Sequence, residues 1–258
     1  MLAFVREVSP RLAHCELTHL ERGAIDPARA TRQHGEYVSA LASLGCEIEW
    51  LAPLPAQADG MFVEDTAVIV PEVAVVTRPG VASRRAETAS VSTALARHVP
   101  VIELAAPACL EGGDVLRIGR RLWAGTGGRT NAEGVAQLAA ALAPHGYRVD
   151  AVPLEGCLHL KSACSFIPPD TLLVNPEWAD PAIFGTRVVI EVAEDEPYGA
   201  NALSVGGRTL ASTAYPKTLR RVAEAGIGVQ PLEVSEIHKA EAALTCMSLL
   251  LPRVGELD

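Results

Sequence analysis

Apolar runs come in pairs along this chain, and a tight turn separates the two members of each pair. Short apolar runs bounded by Gly, Pro and Asp are typical of β-strands, and two runs joined by a short turn predict a β-hairpin. A fifth hairpin is predicted from 243–251 and the N-terminal segment 1–8. The four complete hairpins are 62–70 with 73–80, 110–119 with 121–126, 158–167 with 171–176, and 198–207 with 208–213.

The hairpins are copies of one repeating unit. Self-similarity at a period of roughly 20 to 50 residues is typical of repeat architectures. The spacings here are 49, 49, 38 and 44 residues, measured between Asp65, Asp114, Ala163, Asn201 and Thr245.

Helical patterns lie between the hairpins. Asp26 is predicted to cap a helix that runs to Gly45, with its apolar positions on one face. The helices that follow are marked by N-terminal signals. They are predicted at the capping-box pair Thr130 and Glu133, at Pro216 and within 83–98, whereas 176–187 holds at most a short helix.

Five such units predict an α/β fold in which a closed ring of five ββαβ blades surrounds a central cavity. The ring closes only if the N-terminal strand joins the last blade, and closure removes exposed sheet edges. The alternative is an open α/β sheet, which the frequent hairpins disfavour because parallel strands need long crossovers. A single catalytic domain over 1–258 is expected.

Composition and charge exclude several classes of protein. Hydrophobic residues make up 49% of the 258 residues and charged residues 21%, enough for a globular core. The net charge of −9 disfavours nucleic acid, whose phosphates repel an acidic surface. No apolar stretch approaches the roughly 20 residues of a membrane span. We therefore expect no nucleic-acid partner and no membrane association.

The six cysteines stand singly, without the close pairs of a disulfide scaffold or a zinc site. No secretory signal is visible at the N-terminus. Reduced thiols in the cytoplasm are therefore expected, with no metal and no cofactor.

Titratable residues cluster at equivalent points of the predicted blades, which converge on the central cavity of a closed ring. Taken alone, Cys246 is more often a small buried hydrophobe, and His159 a hydrogen-bonded structural histidine. Alternation along a strand places Glu64 and Asp65 on opposite faces. Several such residues at equivalent points of the blades together favour a functional site. The residues at these points are Glu64, Asp65, Glu111, Asp114, His159, Asn201 and Cys246.

Six strings in order resemble the dimethylarginine dimethylaminohydrolase family: FVEDTAV, TRPG with SRR, EGGDVL, RTNAEG, LHLKSACSF and LTCMSL. The resemblance extends over nearly the whole chain, to Leu249. It implies the five-bladed α/β propeller (pentein) fold of guanidino-group-modifying enzymes. It also implies hydrolysis of Nω-methylated arginines (asymmetric dimethylarginine, monomethylarginine) to L-citrulline and a methylamine. No metal or cofactor is implied.

The resemblance assigns the reaction to three residues. Cys246 would attack the guanidino carbon and form a covalent thiouronium, and His159 would donate a proton to the departing amine. Glu111 would orient and charge His159. Because acids surround it, the Cys246 thiol is expected to ionise only when the cationic substrate binds; the alternative is a resting ion pair with His159.

The resemblance also implies the substrate-binding residues. Carboxylates suit a guanidinium because they bind it in bidentate fashion. Two arginines would hold the substrate carboxylate, and two backbone carbonyls would accept from its ammonium. The expected set is Asp65 with Glu64 and Asp59 for the guanidinium, Arg84 and Arg129 for the carboxylate, and Leu17 and Ala240 for the ammonium.

Two alternatives stay open at this stage. An arginine deiminase-type hydrolase is one, but that family carries a His-x-Asp motif where this chain has His159-Leu160-Lys161. The other is a non-catalytic propeller that binds arginine derivatives or another partner. The expected ligand is a small methylated arginine, and a homodimer is possible.

Overall fold

The computed structural model describes residues 1–252, and each predicted hairpin lies there in a three-stranded sheet. The two hairpin strands are antiparallel, and a third strand pairs in parallel with the second after a helical crossover. The strands are β1 Leu2–Val5, β2 Glu47–Trp50, β3 Ala67–Val70, β4 Val73–Val76, β5 Val101–Glu103, β6 Val115–Ile118, β7 Arg121–Thr126, β8 Arg148–Pro153, β9 Cys164–Ile167, β10 Thr171–Val174, β11 Val188–Glu191, β12 Ala202–Val205, β13 Arg208–Ser212, β14 Val229–Leu232 and β15 Leu249–Leu251.

The two ends of the chain meet in one sheet. Strand β1 pairs antiparallel with β15, where Leu2 lies opposite Leu251, and parallel with β2. The prediction that segment 1–8 supplies the partner of the fifth hairpin is confirmed. Residues 253–258, the last of the predicted domain, lie outside the described residues.

The first helix begins where the sequence predicts it, directly after Asp26. The Asp26 side chain caps this helix and accepts hydrogen bonds from the N–H groups of Ala28 and Arg29. The fourth predicted helix is shorter than expected, because a 3₁₀ segment, Ala82–Glu87, occupies its first half. The helices are α1 Pro27–Ser43, α2 Thr88–Leu95, α3 Ala132–Leu142, α4 Leu160–Ala163, α5 Pro216–Glu224 and α6 Ser235–His238.

The predicted capping box at Thr130 is wrong by one residue. Asn131 is the N-cap of α3, and its side chain accepts from the N–H of Gly134. The Thr130 hydroxyl instead donates to Asp114 Oδ2 at 2.6 Å and accepts from the N–H of Glu111 at 3.1 Å. Thr130 therefore hydrogen-bonds within a buried polar network and does not cap the helix.

In several of the sheets, the residues just before the first strand of the hairpin form a single helical turn or stand beside one, although the sequence predicts strand there. Val63–Thr66 and Thr245–Met247 are 3₁₀ turns, and His159 stands just before α4. The strand alternation expected for Glu64 and Asp65 is therefore wrong: both are buried within one turn.

The first strands of the five sheets line a cavity of about 290 Å³. Strand β9 packs beside β6 and β12, and β15 packs beside β3. Side chains of β3, β6, β9, β12 and β15 all line this cavity. Within residues 1–252, no helix has the length and apolar character needed to cross a membrane.

Candidate active site

Two helical turns and a glycine pair bring the candidate residues together. Asp65 lies in the turn Val63–Thr66, and Gly113 lies in the turn Gly112–Asp114. A Cβ at Gly113 would stand 2.7 Å from Nδ1 of His159 and 2.8 Å from Oδ1 of Asp65. Only glycine permits that approach, so the Gly-Gly pair is part of how the site is built.

His159 and Glu111 form the centre of the site. Nε2 of His159 lies 2.8 Å from Oε2 of Glu111 and 3.8 Å from Oδ1 of Asp65. Glu111 is fully buried, and its other oxygen accepts from the N–H of Gly80 at 3.2 Å. The structure thus brings together the histidine and the carboxylate that were expected to pair; their catalytic roles stay predictions.

The charges around His159 favour its protonated form. Burial lowers the pKa of His159, but the carboxylates of Asp65, Asp114 and Glu111 outweigh burial and raise that pKa to about 9. For Asp65, burial acts to raise the pKa, whereas His159 and Arg84 together hold it at about 2. At neutral pH the imidazole is therefore a cation with a proton available for a leaving group.

Cys246 lies in the turn Thr245–Met247, half-buried, and its Sγ accepts from the N–H of Ala243 at 3.4 Å. Burial raises the pKa of the Cys246 thiol, and the negative charges of Glu64 and Asp65 raise it further. The resting group is therefore a neutral thiol. A positive charge that enters the cavity offsets these carboxylates and favours the thiolate.

Cys246, His159 and Glu64 line one cavity of about 110 Å³. Asp65 and Glu111 stand behind His159, in contact with it, rather than in the wall. The remaining wall is part aromatic and part polar. Its other residues are Leu20, Gly113, Leu158, Lys161, Ser162, Tyr198, Asn201, Tyr215, His238, Glu241, Ala242, Ala243 and Thr245.

Arg84 is engaged within the protein. It is 3% exposed; its Nη1 lies 2.5 Å from Asp65 Oδ2, and its Nη2 lies 2.9 Å from Glu87 Oε2. Burial lowers the pKa of Arg84, but Asp65 and Glu87 outweigh it and hold the group cationic. Its Nη2 also donates to the carbonyl of Phe62 at 2.9 Å. The expected contact of Arg84 with a substrate carboxylate stays a prediction.

The segment 15–22, which we call the lid segment, is held by two of the predicted residues. Both oxygens of Asp59 accept from the N–H of Glu16, at 3.1 and 3.3 Å. Nη2 of Arg129 donates to the Thr18 hydroxyl at 2.9 Å, and its Nη1 lies 3.7 Å from Glu111 Oε2. Asp59 therefore contacts the lid backbone, and Arg129 joins the lid segment to the Glu111 carboxylate.

Leu17 and Ala240, whose carbonyls are expected to accept from the ammonium, belong to different parts of the chain. Leu17 is a half-buried residue of the lid segment, and Ala240 is a buried residue just after α6. Both pack in the same hydrophobic cluster. Their recognition role stays a prediction.

Sequence reasoning left Lys161 without a role. Its Nζ lies 2.7 Å from Oε1 of Glu64, and the Thr245 hydroxyl donates to Oε2 of Glu64 at 2.7 Å. Asn201 Nδ2 donates in turn to Thr245 at 3.0 Å. The equivalence of Asn201 and Thr245 in the repeat was the available signal, whereas nothing in the sequence connected Lys161 with Glu64. These residues separate the site from the larger cavity, since Glu64, Lys161 and Thr245 line both.

Asp114 is a second residue whose role the sequence did not assign. It accepts from the N–H of Leu160 at 3.2 Å and from Thr130, and burial raises its pKa to about 6. Its carboxylate lies near enough to His159 to raise the histidine pKa. The signal was its position, which matches Asp65 in the repeat.

One atom each of Asp65, Glu111 and His159 lie within 4.8 Å of one another, a spacing that a divalent cation fits. Nε2 of His159 and Oε2 of Glu111 already bind one another, and Oδ1 of Asp65 accepts from the N–H of Gly113 at 3.0 Å. A cation there would displace the proton between His159 and Glu111 and would compete with the Gly113 N–H for Asp65.

Five three-stranded sheets, with a cysteine, a histidine and buried carboxylates at one cavity, fit an enzyme of the guanidino-group-modifying class. The N(G),N(G)-dimethylarginine dimethylaminohydrolase of Streptomyces coelicolor is 42% identical over 252 residues and 96% of each chain. That of Pseudomonas aeruginosa is 35% identical over 90% of this chain and 92% of its own. This chain belongs to the dimethylarginine dimethylaminohydrolase family, a family of hydrolases. No family model matches the chain.

Solved structures agree with this assignment. The Pseudomonas aeruginosa enzyme, as a cysteine-to-serine mutant complexed with citrulline, has a TM-score of 0.90 at 33% identity, over 96% of this chain and 98% of that one. The N-terminal domain of a cyanobacterial arginine dihydrolase has a TM-score of 0.87 at 21% identity, over 97% and 99% of the two chains, and shows the shared fold.

Proposed function

We propose that this enzyme hydrolyses Nω-methylated arginines to L-citrulline and a methylamine, with Cys246 as nucleophile. The observation that carries the proposal is the shared cavity of Cys246, His159 and Glu64, in which the histidine is cationic and the thiol neutral. Family membership supports the substrate, and a relative that binds citrulline supports the product.

The chemistry follows from those charges. The substrate guanidinium enters the cavity beside Glu64, with Asp65 behind His159, and its positive charge favours loss of the thiol proton to solvent. Sγ of Cys246 bonds to the guanidino carbon. The bond from that carbon to the methylated nitrogen breaks as His159 protonates the amine.

The second half of the reaction regenerates the enzyme. Neutral His159 takes a proton from water, and the resulting hydroxide bonds to the thiouronium carbon. The carbon–sulfur bond breaks and the thiolate of Cys246 departs. The proton of the added hydroxyl returns to that thiolate through solvent, which leaves citrulline with a neutral ureido group and restores the resting thiol. Glu111 keeps the imidazole in one orientation through both steps.

Lys161 favours this activity over deimination of arginine. Its ammonium binds Glu64 at 2.7 Å and stands in the cavity wall. An aspartate at this place would add a carboxylate that accepts from the N–H groups of an unmethylated guanidinium, whereas an ammonium group only donates and accepts from none of them. A protein that only binds its ligand would not need the buried pair of His159 and Glu111.

We also propose that the five sheets close into one ring within a single domain. The pairing of β1 with β15 and the cavity lined by the first strands of all five sheets support closure. The six free thiols support a location in the cytoplasm. A homodimer stays a prediction that sedimentation velocity tests.

A citrulline assay with arginine, monomethylarginine and asymmetric dimethylarginine side by side tests the proposed function. We expect turnover of both methylated substrates and little of arginine. Preferred turnover of arginine would indicate a deiminase, and binding without turnover would indicate a silent binder.

A further inference from the structure

Glu241 occupies a position at which helix ends commonly place glycine. Helix α6 ends in a Schellman motif: the N–H of Glu241 donates to the carbonyl of His238 at 3.0 Å, and that of Ala242 donates to Ile237 at 3.4 Å. Glu241 has φ +55°, and it is the one non-glycine residue with positive φ among residues 1–252. This conformation is unfavourable for a residue with a Cβ and persists where the surroundings impose it.

The Glu241 side chain binds the lid segment. Its two carboxylate oxygens accept from the N–H groups of Thr18 at 2.5 Å and His19 at 2.9 Å. Thr18 is held from its other side by Arg129, which donates to its hydroxyl. Glu241 thus joins the lid segment to the loop that leads to Cys246, and it lies in the cavity wall.

Peptide geometry extends this contact to two carbonyl groups. The N–H of Thr18 and the C=O of Leu17 belong to one planar trans peptide unit, so they point in opposite directions. A bond from that N–H to the Glu241 carboxylate therefore fixes the direction of the Leu17 carbonyl. In the same way, the bond from the Glu241 N–H to His238 fixes the carbonyl of Ala240.

Both carbonyls are available as acceptors. Within the described part of the chain, no N–H or hydroxyl group donates to the Leu17 or the Ala240 carbonyl oxygen. A carbonyl directed by its own peptide plane suits an ammonium ion, which needs several acceptors in fixed positions.

We propose that Glu241 is a positioning residue that aims the Leu17 and Ala240 carbonyls and so determines recognition of the substrate α-ammonium group. Its side chain orients the first peptide unit, and its backbone orients the second. The inference rests on the proposed function, since it concerns the amino-acid end of that substrate. Glycine would adopt the left-handed backbone conformation at this helix end more easily than Glu241. The glutamate is explained by its side chain, which binds the lid segment.

The test compares two substrates: monomethylarginine and its analogue with hydrogen in place of the α-amino group. Glu241→Gly removes the carboxylate and suits the backbone conformation, and Glu241→Gln keeps the shape but can accept from the lid with one oxygen only. Glu21→Gln, an exposed residue of the same segment, is the matched control. Thermal midpoints verify that each variant is folded.

We expect Glu241→Gly to lower kcat/KM for monomethylarginine by roughly 10- to 100-fold, mainly through KM, the loss expected for hydrogen bonds to a charged group. For the des-amino analogue the loss should stay within about threefold, and Glu241→Gln should lie between. The control should match the wild-type enzyme for both substrates.

Equal losses for the two substrates would overturn the inference, because a purely structural role lowers both alike. An unchanged KM for monomethylarginine in Glu241→Gly would also overturn it. Failure of the proposed function is distinguishable, since it appears in the wild-type enzyme as absence of citrulline before any variant is compared.

Discussion

Nε2 of His159 lies 2.8 Å from Oε2 of Glu111, although 48 residues separate the two in the chain. Glu111 is one of three carboxylates that hold the imidazole in its protonated form, with a pKa of about 9. Burial, together with the negative charges of Glu64 and Asp65, raises the pKa of the Cys246 thiol and suppresses its ionisation. In the free enzyme His159 is therefore already protonated, whereas Cys246 is a neutral thiol that ionises when a cation enters the cavity.

This asymmetry predicts that substrate binding ionises the thiol. The pKa of Cys246 in the free enzyme should exceed the ordinary cysteine value of about 8.5, and a bound guanidinium should lower it. Alkylation rate and ultraviolet thiolate absorbance measured against pH report it directly. An apparent pKa well below neutrality in the free enzyme would instead indicate a resting ion pair with His159.

Replacement of the proposed nucleophile should abolish turnover without loss of the fold. Cys246→Ser lacks the thiolate that forms the thiouronium, so no citrulline should accumulate. Cys109→Ser is the matched control, since Cys109 contacts Arg78 outside the cavity wall. Citrulline formation by Cys246→Ser at a rate near wild type would remove Cys246 from the mechanism.

His159→Gly should lower kcat by roughly 10² to 10⁴, the contribution of a general acid–base group. Glu111→Gln should keep the imidazole in place but lower its pKa, because it removes one of the carboxylates that raise it. A shift of the high-pH limb of the kcat profile toward lower pH measures that change. An unshifted profile would mean that Glu111 does not charge His159.

Replacement of Arg129 should mainly affect substrate binding, whereas replacement of Arg84 should mainly affect stability. Arg129→Ala should raise KM for methylarginine by a factor that corresponds to about 1.5–3 kcal/mol, with Arg187→Ala, an exposed arginine, as control. Arg84→Ala removes the buried cation that Asp65 and Glu87 share and should lower the free energy of unfolding by about 3–5 kcal/mol. Equal stability of the two variants would contradict this distinction.

Stability should depend on pH through His159. Its pKa is raised from 6.5 to about 9 in the folded state, so the folded protein binds a proton more tightly than the unfolded chain does. The resulting stabilisation is complete below about pH 6.5 and is lost as pH rises through about 9. Urea unfolding of the wild-type protein should show this decline, and His159→Gln should lack it.

Patterns local in the chain predicted most of the architecture. Alternation of apolar runs and turns located the hairpins, and Asp26 with Pro27 located the start of α1. The N-terminal strand was paired correctly with the last hairpin because edge closure is a strong constraint on repeat units. The error at Thr130 arose because capping-box spacing describes local geometry, and here a buried carboxylate competes for the hydroxyl.

The sequence by itself determined which residue types stand at equivalent points of the repeat, and hence that Glu111, His159 and Cys246 belong together. Only the tertiary structure decided what each one touches. The pairing of Lys161 with Glu64, of Arg84 with Asp65, and of Glu241 with the lid segment joins residues far apart in the chain. Such contacts depend on side-chain direction at helical turns and on burial, which raises or lowers each pKa. Neither is encoded in residue spacing along the chain.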